Sequence, residues 1–322
     1  MEKYCLIPQP IHSGGLDKLR ENGVEPLVGE AACNNAPADR VVAAIWRSGQ
    51  FSRTQMMQLP ALCTIGVHGV GVDGIDVQAA SDLGIVVFNT PGTNTRSVAE
   101  HTLGLIFALT KRIPAADRAM RTGNYAFRFQ GGLSELRDAT LGVIGFGAIG
   151  QATAQLARAM GMRVQVLSRR GAGELAAAGL QKAQSLATLL GESDVVSLHL
   201  PSVPETHKMI GAPQLALMKP GAFLVNTSRG ALVDEPALID ALRRGAIAGA
   251  GLDVFCHEPV PAGDPLLALE NVIVTPHIAA STEQAMMAMA NASVQGILDI
   301  LNQRLPASPI NPEIWDKRRR RG

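Results

Sequence analysis

The sequence predicts an α/β protein made of two parallel-sheet domains, with the second domain inserted into the first. Three observations predict this. The chain has 322 residues, more than one hydrophobic core usually supports. Short apolar strands alternate with helical patterns almost throughout, which is typical of parallel sheets with crossover helices. A glycine-rich turn also stands between a strand and a helix near the middle of the chain.

The first part of the chain contains five apolar segments that we interpret as strands: YCLIP, VEPLVG, VVAAIWR, CTIGVH and IVVFN. A longer helical pattern then runs from Ser97 to Arg121, and Pro114 is expected to kink or divide it. Six more strands follow: LGVIGF, RVQVLS, DVVSLHL, AFLVNTS, AGAGLDVF and VIVTPH. A last helix, from Thr282 to Leu301, leads to a tail that could return to the first domain. We therefore expect the first domain to comprise residues 1–97 and 287–322, and the second to comprise 98–286.

Composition excludes several classes of function. A net charge of +1 gives no electrostatic reason to expect nucleic acid or an acidic membrane as partner. No segment is apolar enough for a signal peptide or a membrane span. The four cysteines are scattered without metal-ligand spacing, which indicates reduced thiols, a cytoplasmic location and no metal site. The basic run from Lys317 to Arg321 is expected to be a solvated tail.

The glycine-rich turn, GFGAIG, joins the strand LGVIGF to the helical pattern QATAQLARAMG. In this context Gly145 permits a tight turn, Gly147 lets a pyrophosphate approach the backbone, and Gly150 lets helix and strand pack closely. The amino end of the helix then offers unpaired amides to phosphate oxygens. The pattern favours a dinucleotide site of the Rossmann type, although such strings also occur in purely structural turns.

The next strand ends in Ser168, Arg169 and Arg170, where an acidic residue would hold the ribose of NAD. A hydroxyl and two guanidinium groups suit a 2′-phosphate instead. The alternative is that the arginines are merely solvated. We expect NADP(H) to be preferred, with NAD(H) possible.

Three later strand ends carry reactive side chains: Arg229 in NTSRG, Asp253 and Glu258 in LDVFCHEP, and His277 in TPHIAAST. Each alone could be an ordinary loop residue. Together they provide what reduction of a 2-keto acid requires. Arg229 can hold the substrate, His277 can protonate the developing alkoxide, and Glu258 can keep that histidine charged.

At these residues the sequence resembles the D-isomer-specific 2-hydroxyacid dehydrogenases along nearly its whole length. The motifs that carry the resemblance are GVGVDGID, the glycine turn, LHLPSVPET, LVNTSRGALVDEPAL, AGLDVFCHEP and TPHIAAST. The resemblance implies that Arg229, Glu258 and His277 are catalytic and that Arg229 and His277 also bind substrate. It further implies a Rossmann nucleotide domain inserted into a smaller, flavodoxin-like substrate domain.

The family pattern implies further binding residues. Backbone amides near Val70 and Gly71 would bind the substrate carboxylate. Arg47 resembles an arginine that some members aim at the substrate, and a solvated strand end is the alternative. Besides the glycines and the Ser168 loop, the residues expected to line the cofactor are Thr102, Ala148, Ile149, Leu200, Pro201, Thr206, Thr227, Asp253 and Ala279.

The resemblance implies glyoxylate or hydroxypyruvate reduction as the leading function. A phosphoglycerate dehydrogenase-like enzyme acting on a phosphorylated or sugar acid is the alternative, and a nucleotide-sensing corepressor-like protein is a remote one. The regulatory extension of the longer phosphoglycerate dehydrogenases is absent from the sequence, so feedback control by that route is not expected. A homodimer is implied, formed through the nucleotide domain and the segment from Asn124 to Leu133.

Overall fold

A computed structural model describes residues 2–319 of the chain. Its strands are β1 (Lys3–Ile7), β2 (Val24–Val28), β3 (Val41–Trp46), β4 (Thr64–Val67), β5 (Val86–Phe88), β6 (Thr140–Ile144), β7 (Arg163–Leu167), β8 (Gln181–Lys182), β9 (Val195–Leu198), β10 (Phe223–Asn226), β11 (Gly249–Leu252) and β12 (Val272–Val274). Its α-helices are α1 (Ser13–Glu21), α2 (Glu30–Asn34), α3 (Arg53–Met57), α4 (Val77–Asp82), α5 (Thr95–Thr110), α6 (Ile113–Arg121), α7 (Ala148–Ala159), α8 (Ala172–Ala177), α9 (Leu186–Glu192), α10 (Ala212–Leu217), α11 (Glu235–Arg243) and α12 (Glu283–Leu301).

The chain forms two compact units. Unit 2 runs from Thr95 to Ala279, and unit 1 comprises the residues before and after it. The divisions therefore lie at 94/95 and 279/280, where the sequence predicted 97/98 and 286/287. The differences have a simple cause. Helix α5 begins at Thr95 and packs within unit 2, whereas α12 packs along its length on α1 and β4 of unit 1.

Unit 1 is a five-stranded parallel sheet in the order β2-β1-β3-β4-β5, which is the flavodoxin-like order. Strands β3, β4 and β5 are buried on both faces, as their continuous apolar sequences predict, whereas the edge strand β2 is only partly buried. One face packs against α1 and α12, where Ala290, Val294 and Ile297 join the core. The other face packs against α3 and α4 through Met56, Ala79 and neighbouring side chains.

Unit 2 is a seven-stranded parallel sheet in the order β12-β11-β10-β9-β6-β7-β8, the doubly wound Rossmann arrangement. The winding reverses between β6 and β9, so ligands are expected at the carboxyl ends of these two strands. The sequence predicted six strands here, and that count was wrong. The seventh, β8, is only the exposed pair Gln181–Lys182 at the sheet edge, too short and too polar to give an apolar signal.

The helical pattern from Ser97 to Arg121 is divided, as Pro114 led us to expect. Helix α5 ends at Thr110, and Arg112 adopts a left-handed conformation with φ of 50°. Pro114 then lies in the first turn of α6, where its missing amide costs no helical hydrogen bond.

The basic run near the carboxyl terminus is only partly a solvated tail: Lys317 is exposed as expected, but the expectation was wrong for Arg318 and Arg319. Arg318 is buried and its guanidinium lies 3.6 Å from the ring of Trp315. Arg319 donates hydrogen bonds to the carbonyl oxygens of Leu59, Pro60 and Leu62. The last two arginines of the run, 320 and 321, lie outside the described residues.

Within residues 2–319, no helix combines the length and apolarity needed to cross a bilayer. The same part of the chain contains no group of three or more His, Cys, Asp or Glu residues arranged to hold a metal ion.

Candidate active site

The structure brings His277 and Glu258 together at the carboxyl ends of neighbouring strands of unit 2. Glu258 follows β11 and His277 follows β12. Nδ1 of His277 lies 2.7 Å from Oε2 of Glu258, within strong hydrogen-bond distance. The side chains are 49% and 36% exposed, respectively. With Nδ1 engaged by the carboxylate, Nε2 is the ring nitrogen that can face a substrate.

Glu258 is held as an anion by its surroundings. Partial burial raises the pKa of its carboxyl, but hydrogen bonds from His277 and the Phe255 amide and the charges of His277 and Arg229 outweigh burial, so the pKa is lowered. The Phe255 amide lies 3.0 Å from Oε1, which leaves Oε2 for the histidine. The carboxylate is therefore suited to stabilise a protonated imidazole.

A cavity of about 390 Å³ lies against this pair within unit 2. Its wall is mainly apolar. Besides Glu258 and His277, the lining residues are Phe255, Pro259, Val260, Leu267, Val274, Thr275 and Pro276.

Arg229 lies on the loop that follows β10, close enough to Glu258 for its charge to lower the pKa of that carboxyl. Asn226 fixes the loop by donating to the Arg229 carbonyl oxygen at 2.8 Å. The loop packs closely against the segment that leads to Glu258. A Cβ at Gly230 would lie only 2.0 Å from the carbonyl carbon of Phe255, so glycine is required for this approach.

Asp253 is a fully buried carboxylate that anchors the loop carrying His277. It accepts hydrogen bonds from the Thr275 hydroxyl at 2.6 Å and from the amides of Ile278 and Ala279, both at 2.9 Å. These donors lie on both sides of His277. The sequence predicted Asp253 as a cofactor contact, and that role stays a prediction beside the structural one.

The glycine turn has the geometry that a dinucleotide requires. Gly145 has φ of 92°, and a Cβ there would lie 2.3 Å from the His199 carbonyl oxygen. A Cβ at Gly150 would lie 2.4 Å from the Gly145 carbonyl oxygen, so helix and turn are in close contact. No atom of the described residues lies within 4 Å of a Cβ built at Gly147, which leaves the backbone open to a ligand. The turn leads into α7, whose amino end lacks a capping side chain. These residues fit a bound dinucleotide.

The loop after β7 carries the predicted phosphate-binding residues. Arg169 is exposed, and the Ser168 hydroxyl accepts a hydrogen bond from the Arg170 amide at 3.3 Å. Arg170 is paired with Glu174 and its guanidinium lies 5.2 Å from the ring of Phe146 in the glycine turn. A cation that the sequence reading missed is Lys182, whose Nζ lies 2.7 Å from the Arg170 carbonyl oxygen. No pattern in the sequence indicated it, because β8, the strand on which it lies, is too short and polar to be predicted.

Two of the other predicted cofactor residues, Thr102 and Thr206, form hydrogen bonds to neighbouring residues. Thr102 is buried, and its hydroxyl contacts the Val98 carbonyl oxygen and the Thr227 hydroxyl. Thr206 bonds to the Pro201 carbonyl oxygen and so fixes the loop after β9. Contacts of these residues with a cofactor stay predictions, as do those of Ala148, Ile149, Leu200 and Ala279.

The predicted substrate residues of unit 1 lie after β3 and β4. Val70 is exposed, and its carbonyl oxygen accepts a hydrogen bond from Asn89 at 2.8 Å. Arg47 donates to the Pro10 carbonyl oxygen and to the Ser281 hydroxyl, both within unit 1. The substrate roles of Arg47, Val70 and Gly71 stay predictions.

Comparison with known proteins identifies the family of the chain. A family model described as the NAD binding domain of D-isomer specific 2-hydroxyacid dehydrogenases matches residues 103–279. The chain is 41% identical to a glyoxylate reductase of Aeropyrum pernix, over 80% of this chain and 79% of that protein. It is 38% identical to a D-3-phosphoglycerate dehydrogenase of Archaeoglobus fulgidus, over 92% of this chain but only 56% of that longer protein.

A similar solved structure is the NADPH-dependent glyoxylate/hydroxypyruvate reductase of Sinorhizobium meliloti in complex with NADP and malonate. It has a TM-score of 0.85 and 32% identity, and the match covers 100% of both chains. The matched family model and the extent of these identities lead to one conclusion. The chain belongs to the D-isomer-specific 2-hydroxyacid dehydrogenase family, which comprises oxidoreductases that act on CH–OH donors with a nicotinamide cofactor.

Proposed function

We propose that the chain uses NADPH to reduce a small 2-keto acid to the 2-hydroxy acid, with glyoxylate, whose product is achiral, or hydroxypyruvate, whose product is the D-isomer, as substrate. The observation that carries the proposal is the 2.7 Å bond between Nδ1 of His277 and Oε2 of Glu258, with Arg229 close to the same carboxylate. Overall, one keto acid, one NADPH and one proton become the hydroxy acid and NADP⁺. The bound cofactor supplies the hydride to the carbonyl carbon.

The chain's own residues supply the rest of the chemistry. His277 donates a proton from Nε2 to the carbonyl oxygen as negative charge develops there. Glu258 stabilises the protonated ring before the transfer and orients it through Nδ1. Arg229 binds the carboxylate and carbonyl groups of the substrate. The backbone amides near Val70 and Gly71 and the side chain of Arg47 also contribute to binding of the substrate carboxylate.

The preference for NADPH rests on the loop after β7. Ser168, Arg169 and Arg170 offer a hydroxyl and two cations, and Lys182 adds a third positive charge nearby. Such groups stabilise the 2′-phosphate of NADPH and interact more weakly with the uncharged 2′-hydroxyl of NADH. The Sinorhizobium reductase, which is NADPH-dependent by description, supports this choice.

The choice of substrate rests on the relatives. The match to the glyoxylate reductase spans most of that protein, whereas the match to the phosphoglycerate dehydrogenase spans little more than half of it. A phosphorylated 2-keto acid is therefore the second candidate. We further propose a cytoplasmic enzyme, because the four cysteines are scattered without the spacing of a disulfide framework.

A homodimer is proposed through unit 2. Several large apolar side chains are exposed on α6 and on the segment after it, and exposed apolar residues that lie close together often mark a protein–protein interface. They are Ile113, Met120, Tyr125, Phe129 and Leu133. A second copy of the chain could cover this surface.

The test is a panel of glyoxylate, hydroxypyruvate and 3-phosphohydroxypyruvate, each assayed with NADPH and with NADH. We expect the first two to react, faster with NADPH. Preference for the phosphorylated acid would favour the second candidate, and absence of turnover with all three would refute the proposal. His277→Ala should lower kcat about 10²- to 10⁴-fold while NADPH binding changes little. His257→Ala, an exposed histidine one residue before Glu258, is the matched control.

A further inference from the structure

His277 lies in a backbone conformation that needs support. Its φ is 52°, in the left-handed region that non-glycine residues rarely adopt. Its amide donates to the carbonyl oxygens of Asp253 and Thr275 at 2.9 and 3.0 Å. The position of the imidazole therefore depends on what holds the segment from Thr275 to Ala279.

The Asp253 carboxylate holds that segment at three points. Oδ1 accepts from the Thr275 hydroxyl and the Ile278 amide, and Oδ2 accepts from the Ala279 amide. Because the carboxylate is fully buried, these bonds do not compete with bulk water. A change at any of the three would move the backbone beside His277.

Two residues of helix α5 also contact the segment from Thr275 to Ala279. Nε2 of His101 lies 3.0 Å from the Thr275 hydroxyl oxygen and 3.6 Å from Oδ1 of Asp253. Four residues earlier on the same face of α5, the Ser97 hydroxyl donates to the Ala279 carbonyl oxygen at 2.6 Å. Both ends of the segment are thus attached to one helix.

The neighbouring hydrogen bonds determine which of His101 and Thr275 is the donor in the bond between them. A threonine hydroxyl has one proton, and here that proton goes to Asp253 at 2.6 Å. The Asp253 carboxylate, which accepts from the Ile278 and Ala279 amides, has no proton to donate, so the threonine is the donor of this bond. Thr275 must therefore accept from His101, which requires the proton on Nε2 of the imidazole.

We propose that His101 is a positioning residue for His277. Its Nε2–H fixes the Thr275 hydroxyl on Asp253, and the carboxylate then fixes the backbone on both sides of His277. His101 acts on the reaction only through this chain of bonds. The proposal rests on the proposed role of His277 as the proton donor, and its test includes a measurement that needs no turnover.

The two amide variants of His101 separate the proposed bond from simple loss of the ring. In His101→Gln the side-chain N–H can reach the position of Nε2, whereas in His101→Asn it reaches only that of Nδ1. We expect His101→Asn to lower kcat about tenfold and His101→Gln to stay within about twofold of the wild type, with the dissociation constant of NADPH nearly unchanged in both. Thr275→Val removes this bond and also the bond to Asp253, so it should lower kcat at least as much as His101→Asn. The double variant should be no worse than Thr275→Val alone, because the threonine change already removes the His101 bond.

Hydrogen exchange provides the measurement that does not depend on activity. The Ile278 and Ala279 amides are protected by Asp253, so a peptide containing residues 275–279 should exchange about tenfold faster in His101→Asn than in the wild type or His101→Gln. Equal exchange in all three proteins, or equal losses of kcat in the two amide variants, would overturn the proposal. Failure of every keto acid would refute the proposed function and leave the exchange result to decide on His101.

Discussion

Replacing His68 with leucine should remove an acid-sensitive contribution to the stability of unit 1. His68 follows β4 and is only 4% exposed, and neither ring nitrogen has a hydrogen-bond partner among the described residues. Burial, followed by the charge of Arg47, lowers the pKa of this imidazole from 6.5 to about 4. The ring is therefore neutral in the folded protein at pH values where it would be charged in the unfolded chain.

The sign and size of the effect follow from proton linkage. Between pH 6.5 and about 4 the unfolded chain binds a proton at this ring and the folded chain does not, so stability falls as the pH is lowered through that window. A difference of about 2.5 pKa units corresponds to about 3 kcal/mol of unfolding free energy. His68→Leu removes the titrating group and also removes two unpartnered polar atoms from the interior.

Both tryptophans, Trp46 and Trp315, lie in unit 1, so their fluorescence reports its unfolding. Urea unfolding at pH 7 and pH 4.5 should show a wild-type loss that exceeds that of His68→Leu by about 2 to 3 kcal/mol. An identical pH dependence in the two proteins would refute the reasoning, because it would mean that the folded protein protonates His68 as readily as the unfolded chain.

Three further predictions concern the site and the assembly. Glu258→Gln should lower kcat because a neutral amide neither stabilises a protonated His277 nor accepts its Nδ1 proton as a carboxylate does; an unchanged kcat would contradict the role of the carboxylate. Ser168→Asp combined with Arg169→Ala should lower the ratio of kcat/KM for NADPH over NADH tenfold or more, since a carboxylate repels the 2′-phosphate; an unchanged ratio would mean that the loop does not choose the cofactor. Phe129, which is 75% exposed, should be essential to the dimer, so Phe129→Glu should sediment as a monomer, while Met57→Glu, at a 62% exposed position in unit 1, should not change the sedimentation. A dimeric Phe129→Glu protein would remove the proposed interface.

The sequence predicted that Glu258 and His277 come together because strand ends of a parallel sheet meet at one edge. Glu258 and His277 are nineteen residues apart in the chain, yet each follows a strand, and the strands β11 and β12 are neighbours. The glycine turn could also be predicted, since Gly145 and Gly150 make close backbone contacts that such a turn requires and Gly147 leaves the backbone open to a ligand.

Other features depend on tertiary contacts that no local pattern encodes. The burial of Arg318 depends on Trp315, and the position of Arg319 depends on carbonyl oxygens near residue 60. The hydrogen bonds from α5 to the His277 loop could not be predicted from the sequence either. Ser97 and His101 have the pattern of ordinary helix residues, and only the fold places Asp253 and its loop beside them.

The return of the chain to unit 1 has a consequence for synthesis on the ribosome. Asn311, which is almost fully buried, accepts a hydrogen bond from the Val87 amide and donates to the Ile85 carbonyl oxygen, so it completes the edge of the first sheet. Asn311 and α12 are made after unit 2, which is one uninterrupted stretch. At typical elongation rates the five strands of unit 1 wait roughly ten to forty seconds for their missing helix while all of unit 2 emerges. We therefore expect the nascent amino-terminal sheet to expose the apolar face that α12 later covers, which is a surface that chaperones bind.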